Sequence, residues 1–229
     1  TLGDDAEALA NYMFDGCSAL STLTLPSKLK FLGTYTFRNS GITEIEIPAS
    51  VEHIGTSKGS SAAVSSNAYV FQNCTQLTSV TLPAGLKTIG AYVFDNCPLL
   101  ETITYDGSEQ NALPATVTVV GNYTFRGCAA LEELDISGVK TAGTYLFQNC
   151  SSLESIVLGS NLTSLPNYMF SGCSSLLSVD LSSVKTLGTY MFQNCSSLEE
   201  VTLGSDMTAL SNYAFDGCSS LTSINLESI

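Results

Sequence analysis

The stretch that decides the fold is Leu77-Thr-Ser-Val-Thr-Leu-Pro-Ala-Gly-Leu-Lys-Thr-Ile-Gly-Ala-Tyr-Val-Phe-Asp-Asn-Cys97. Within it, Ser79-Val80-Thr81-Leu82 alternates polar and apolar residues. That is the period of a half-buried strand, with Val80 and Leu82 turned inward and Ser79 and Thr81 outward. Pro83 ends the strand, because proline has no N–H to give to a ladder. A short return segment, Leu86-Lys-Thr-Ile89-Gly90, then leads into a turn carrying Tyr92, Phe94 and Cys97.

Outward from this stretch, Tyr-x-Phe recurs at Tyr12, Tyr35, Tyr69, Tyr92, Tyr123, Tyr145, Tyr168, Tyr190 and Tyr213, in steps of 23, 34, 23, 31, 22, 23, 22 and 23 residues. Three residues after each Phe stands a cysteine, except in the second repeat, which has Ser40. The residue before that position is always Gly or Asn: Gly16, Asn39, Asn73, Asn96, Gly127, Asn149, Gly172, Asn194 and Gly217. These two residue types enter the left-handed backbone region at least cost. The Tyr-x-Phe stretch therefore reads as a short helical turn closed by a left-handed cap. No single repeat can bury its own apolar face, so the repeats must stack around a shared core.

A period of 22–23 residues lies in the leucine-rich repeat range. The expected fold is an α/β repeat: a right-handed leucine-rich repeat solenoid, with a parallel β-sheet on the concave face and short helical turns and irregular segments on the convex face. The whole of 1–229 reads as one array of about nine repeats. Thr1–Tyr12 aligns without gaps to Thr202–Tyr213, and the chain breaks off before a return segment, so an excerpt of a longer array is expected. From Tyr123 onward two repeat types alternate with a 45-residue double period, as duplication of a pair would produce. Two insertions interrupt the period. Residues 57–67 are small and polar, and 106–113 follow the fourth strand directly; both are expected to be surface loops.

The residues from Leu77 to Cys97, with their Leu-Pro after the strand, Ile-Gly and Tyr-x-Phe-x-Asn-Cys, resemble the bacterial BspA-type leucine-rich repeat family. The resemblance covers the chain outside the insertions. It implies a surface or secreted protein of a host-associated bacterium, with adhesion or host-protein binding as its role, and no catalytic residues.

Composition narrows the function further. Lys+Arg number 8 against Asp+Glu 21, a net charge of −13. Phosphate binding needs clustered Lys and Arg, so the balance argues against nucleic acid and disfavours anionic membranes. No apolar run approaches the ~20 residues of a membrane span. With His53 as the one histidine, chemistry needing two imidazoles is excluded.

The eight cysteines are an even number, as in a disulfide framework. Yet all share one rung position, and Ser40 replaces one, so a buried thiol ladder is the better reading. No Cys-x-x-Cys or Cys/His cluster suggests a metal, and no cofactor is implied. The Tyr and Phe rows read as core packing rather than a stacking platform. Carboxylates gather at Glu44 and Glu46 and at Glu132, Glu133 and Asp135, without the loop pattern of a calcium site. The outward strand residues form a polar, mildly acidic face, either merely solvated or binding a protein.

The expected function is a non-catalytic interaction module at the cell surface or secreted, with a protein ligand such as a host extracellular protein. The alternative is a structural stalk displaying other domains. Tyr105 replaces the Leu or Ile of other repeats beside the second insertion, and the next strand presents Glu133 and Asp135. Tyr105, Asp106, Glu109, Glu133 and Asp135 are therefore the candidate binding residues, for a basic protein segment.

Overall fold

The computed structural model describes residues 3–55, 67–105, 108 and 110–226. Sixteen short strands follow one another: β1 (Ala8–Leu9), β2 (Phe31–Leu32), β3 (Glu44–Glu46), β4 (His53–Ile54), β5 (Ser79–Leu82), β6 (Thr88–Ile89), β7 (Thr102–Tyr105), β8 (Val119–Val120), β9 (Glu133–Ile136), β10 (Thr141–Ala142), β11 (Ser155–Leu158), β12 (Ser164–Leu165), β13 (Ser178–Leu181), β14 (Thr186–Leu187), β15 (Glu200–Leu203) and β16 (Ser223–Ile224). Most turns of the solenoid contribute a longer strand and, after a tight turn, a two-residue return strand. All ladders are parallel and join strands of successive turns. The longer strands form ladders β3–β5–β7, β9–β11 and β13–β15–β16; the return strands form β1–β2, β4–β6–β8–β10 and β12–β14.

The alternation read from Ser79 to Leu82 holds: Val80 and Leu82 are buried while Ser79 and Thr81 are half-buried. A four-residue β-turn follows most of the long strands. Pro83 caps one such turn, its carbonyl accepting the Leu86 N–H at 3.0 Å.

The expected helical turns on the other side are not there; among the described residues the chain forms no helix. Both Tyr and the Asn or Gly four residues later have positive φ, for example Tyr145 at 60° and Asn149 at 62°. A left-handed residue at each end prevents an α-helical run. The N–H groups turn sideways instead: Tyr145, Phe147 and Asn149 donate to the carbonyls of Asn167, Met169 and Ser171 on the next turn, at 3.1, 2.8 and 2.9 Å. The segment is thus a third inter-turn ladder made of successive β-turns.

The left-handed Asn and Gly row was legible in the sequence, but the left-handed Tyr row was not. A bulky residue at φ near +60° costs about 1–2 kcal/mol. Two gains offset it here. The Tyr N–H finds a carbonyl on the next turn, and the nine Tyr rings stack in one column with centroids 4.5–4.8 Å apart. An aromatic pair adds about 0.5–1.5 kcal/mol beyond its buried area.

Inside this column the Phe rings form a second one, and those from Phe37 to Phe192 are fully buried. The cysteines lie behind them. All eight are free thiols; those from Cys74 to Cys195 are buried, while Cys218 is half-buried and Cys17 exposed on the terminal turns. Each buried Sγ donates to the Phe carbonyl of the preceding turn, as Cys150 does to Phe125 at 3.0 Å. Ser40 takes the same place and approaches Cys74 Sγ at 3.4 Å. The ladder therefore selects a small side chain with one donor, which cysteine and serine both supply.

The first insertion, 57–67, lies outside the described residues except for Asn67, which bridges to Ala91. The second is not only a loop. Asn111–Leu113 enters the long-strand sheet between β7 and β9. Ala112 forms a parallel bridge with Asp135 on one side, and its N–H donates to the Ile103 carbonyl on the other. The insertion thus widens the sheet by one short strand at this turn.

Candidate functional site

Three surfaces run the length of the solenoid, and each collects different chemistry. On the return side, surface lysines pair with carboxylates of a neighbouring turn: Lys28 with Asp5, Lys30 with Glu7, Lys87 with Glu52 and Lys185 with Asp206, at 2.6–2.8 Å. Beside the Tyr column, the residue after each Phe forms a polar ladder. Arg38 makes a bidentate pair with Asp15 at 3.0 and 2.6 Å, and Arg126 does so with Asp95 at 2.7 and 2.9 Å. Asp95 is buried and also accepts from Gln72 at 2.8 Å. The Arg38 hydrogen bonds hold the Asp15 carboxyl below its ordinary pKa. The two guanidinium groups lie over Tyr35 and Tyr123, 4.7 and 4.8 Å from the ring centroids. The ring faces within the column are occupied by their neighbours, so it offers no platform for a sugar or a base.

The long-strand face differs in kind. Its outward residues include Glu44, Glu46, Glu133, Asp135, Asp180 and Glu200, and the residues leading into its strands add Glu101, Glu132, Glu154 and Glu199. No Lys or Arg stands among these positions. None of these ten carboxylates takes part in an ion pair among the described residues. At its first turns the face forms an open trough of about 600 Å³ lined by Thr22, Thr24, Glu44, Glu46, Ser79 and Thr81. Among the described residues no group of three His, Cys, Asp or Glu side chains converges as a metal site would require.

Of the residues singled out from sequence, Glu133 and Asp135 share β9 and face outward, Glu133 exposed and Asp135 half-buried. Asp135 is committed locally: its Oδ1 accepts the Ser137 N–H at 2.7 Å, as Asp180 does for Ser182 at 2.8 Å. Tyr105 pairs in register with the buried Leu82 and packs half-buried against the core, so its ring belongs to the inward face. Asn111–Leu113 separates it from β9. Asp106 and Glu109 lie outside the described residues.

The periodic turns, the shared Cys and Phe columns and the parallel long-strand sheet correspond to a family model. The BspA type leucine rich repeat region, in 6 copies, matches residues 1–111 and 105–222. The chain belongs to the BspA-type leucine-rich repeat family. This BspA-type array is similar to a solved leucine-rich repeat protein from Bacteroides ovatus, with 31% identity over 99% of this chain and 66% of that one, at a TM-score of 0.61. It is also similar to one from Eubacterium ventriosum, with 29% identity over 96% of this chain and 64% of that one, at a TM-score of 0.64. The array thus spans just under two thirds of the length of these two relatives. The pneumococcal vaccine antigen PcpA shares the fold, at 20% identity and a TM-score of 0.51 over 96% of this chain and 66% of that one. No curated protein matches the sequence. Among the described residues of the BspA-type array, no helix is long and apolar enough to cross a membrane.

Sequence reasoning missed the Arg–Asp ladder beside the tyrosines. The signal was present: the residue after Phe reads Asp15, Arg38, Gln72, Asp95 and Arg126 on successive turns, an order that places opposite charges side by side.

Proposed function

We propose that this array is a non-catalytic protein-interaction module, carried on a cell surface or secreted, and that its long-strand face receives the partner. The role is adhesion or binding of a host extracellular protein. The observation that carries this reading is the division of charge. The described arginines and most of the described lysines are paired with carboxylates elsewhere, while the long-strand face keeps ten carboxylates without a cationic partner among the described residues. Stacked parallel strands hold these groups on a rigid frame, which suits a broad protein contact. Membership of the BspA-type family supports a surface-type module.

Of the residues singled out from sequence, Glu133 and Asp135 on β9 are one candidate contact on this face for a basic segment, whereas Tyr105 lies inward and Asp106 and Glu109 lie outside the described residues. A stalk that displays other domains is the second reading. It is favoured by the unbroken Tyr column, which stiffens the array along its axis.

The test is binding of the immobilised array to host extracellular proteins fractionated by charge. The module reading expects a basic protein to bind and to weaken as salt rises. Absence of binding from every fraction, with the array intact, favours the stalk.

A further inference from the structure

Two large apolar side chains stand exposed on the long-strand side away from the terminal turns: Val157 at 53% and Leu177 at 49%. Every other outward position in the long strands is polar or charged. Val157 pairs in register with Asp135 across β9 and β11, and Ser155 pairs with Glu133. Leu177 leads into β13. Its N–H donates to the Glu154 carbonyl at 3.2 Å, and its own carbonyl accepts the Glu199 N–H at 2.9 Å. One strand later, Glu200 pairs in register with Ser178. Two apolar side chains are thus bracketed on both sides by carboxylates that have no cationic partner among the described residues.

The sheet is also less tightly closed here. β11 and β13 belong to separate ladders. The inward residues Ile156 and Leu158 of β11 are half-buried, whereas their equivalents on β9, β13 and β15 are buried.

We propose that the partner contact is centred on Val157 and Leu177, and that its occupant is a cationic polypeptide segment carrying an exposed aliphatic side chain. This rests on the module reading and names its site and partner chemistry. Burying exposed apolar surface favours such a contact at roughly 25 cal/mol per Å², while surrounding charge steers encounter and rejects wrong partners. The rim here is uniformly negative, so it selects Lys and Arg. It repels nucleic acid and anionic lipid. It also repels a second copy, whose equivalent face carries the same carboxylates.

The probes are three synthetic 12-residue peptides with the repeats Lys-Leu-Lys-Ser, Lys-Ser-Lys-Ser and Glu-Leu-Glu-Ser. Binding to the whole array is read by fluorescence anisotropy at about 0.15 M salt, with circular dichroism melts confirming that each variant is folded. The parent is expected to bind the first peptide about tenfold tighter than the second, from burial of the leucine side chains, and not to bind the third. Val157→Ser with Leu177→Ser removes that preference. Glu133→Gln with Glu200→Gln weakens binding and flattens its salt dependence. Glu44→Gln with Glu46→Gln changes neither. Equal affinity for both cationic peptides, or loss confined to the Glu44 and Glu46 variant, overturns the proposal. If a protein recovered in the fractionation test binds the Val157 and Leu177 variant as tightly as the parent, this site fails and the module reading stands. If the parent binds neither protein nor peptide, both fail.

Discussion

The carboxamide of Asn111 pairs with β7 as a strand backbone would: its Oδ1 accepts the Ile103 N–H at 2.8 Å, and its Nδ2 donates to the Glu101 carbonyl at 2.9 Å. Those are the two bonds that a residue opposite Thr102 makes in a parallel ladder. The backbone carbonyl of Asn111 accepts the Asp135 N–H at 3.0 Å on the other side. One residue thus joins the strands of two successive turns across an eight-residue insertion.

Asn111→Ala should leave the Ile103 N–H and the Glu101 carbonyl without partners. A cost of about 1–3 kcal/mol follows from an unsatisfied backbone group. Urea melts measure the total, and hydrogen exchange should show the Ile103 amide losing protection before its neighbours in β5. Unchanged exchange at Ile103 would mean that the carboxamide is dispensable.

The Asn149 backbone lies at φ 62°. Replacing it with Gly should cost little, since Gly enters this region freely. Asn149→Val should cost roughly 1–2 kcal/mol more. Thermal melts of the pair isolate the backbone effect, and equal melting temperatures would refute it.

Thiol reactivity should follow position along the array. Cys17 is exposed and Cys218 half-buried, while the six from Cys74 to Cys195 are buried. Native labelling should therefore modify Cys17 first and Cys218 more slowly, and denaturation should reveal all eight. Fewer than eight without reductant would indicate oxidation.

Burial also makes the thiols reluctant to ionise: Cys74 is pushed up to about 11 and Cys150 to about 12. An unfolded thiol ionises near pH 8.5. Above that pH the unfolded chain releases protons that the folded chain keeps, so stability falls as pH rises from about 9 toward the folded values. Each such thiol contributes up to about 1.4 kcal/mol per pH unit in that window. Cys150→Ser should reduce the slope of stability against pH between about 9 and 10, with the tyrosine contribution common to both proteins. An unchanged slope would contradict burial of that thiol.

What the sequence disclosed follows from what repeats. Phe94 and Phe125 make the same contacts one turn apart, so the same side chain recurs and the stacking is legible. The left-handed Asn row was readable because Asn and Gly are the residues that tolerate that backbone. Tyr92, with φ 61°, hides the same conformation. Its ring is held there by Tyr69 and Tyr123 on the neighbouring turns, a tertiary effect that no local propensity shows. Asn111 escaped for a related reason, since a side chain doing the work of a backbone has no periodic signature. The face around Val157 and Leu177 was hardest to read. Outward residues carry no packing constraint, so one exposed Val among polar positions looks like variation until its neighbours are placed around it.

The long-strand face is the surface proposed to receive a protein partner. Photo-crosslinking measures this directly: a benzophenone side chain is installed at Ser155 or Thr202 on that face, and at Thr141 or Thr163 on the return side, with the protein recovered by the fractionation test. The account predicts crosslinks from Ser155 and Thr202 and none from Thr141 and Thr163. Crosslinks from the return side alone would contradict it.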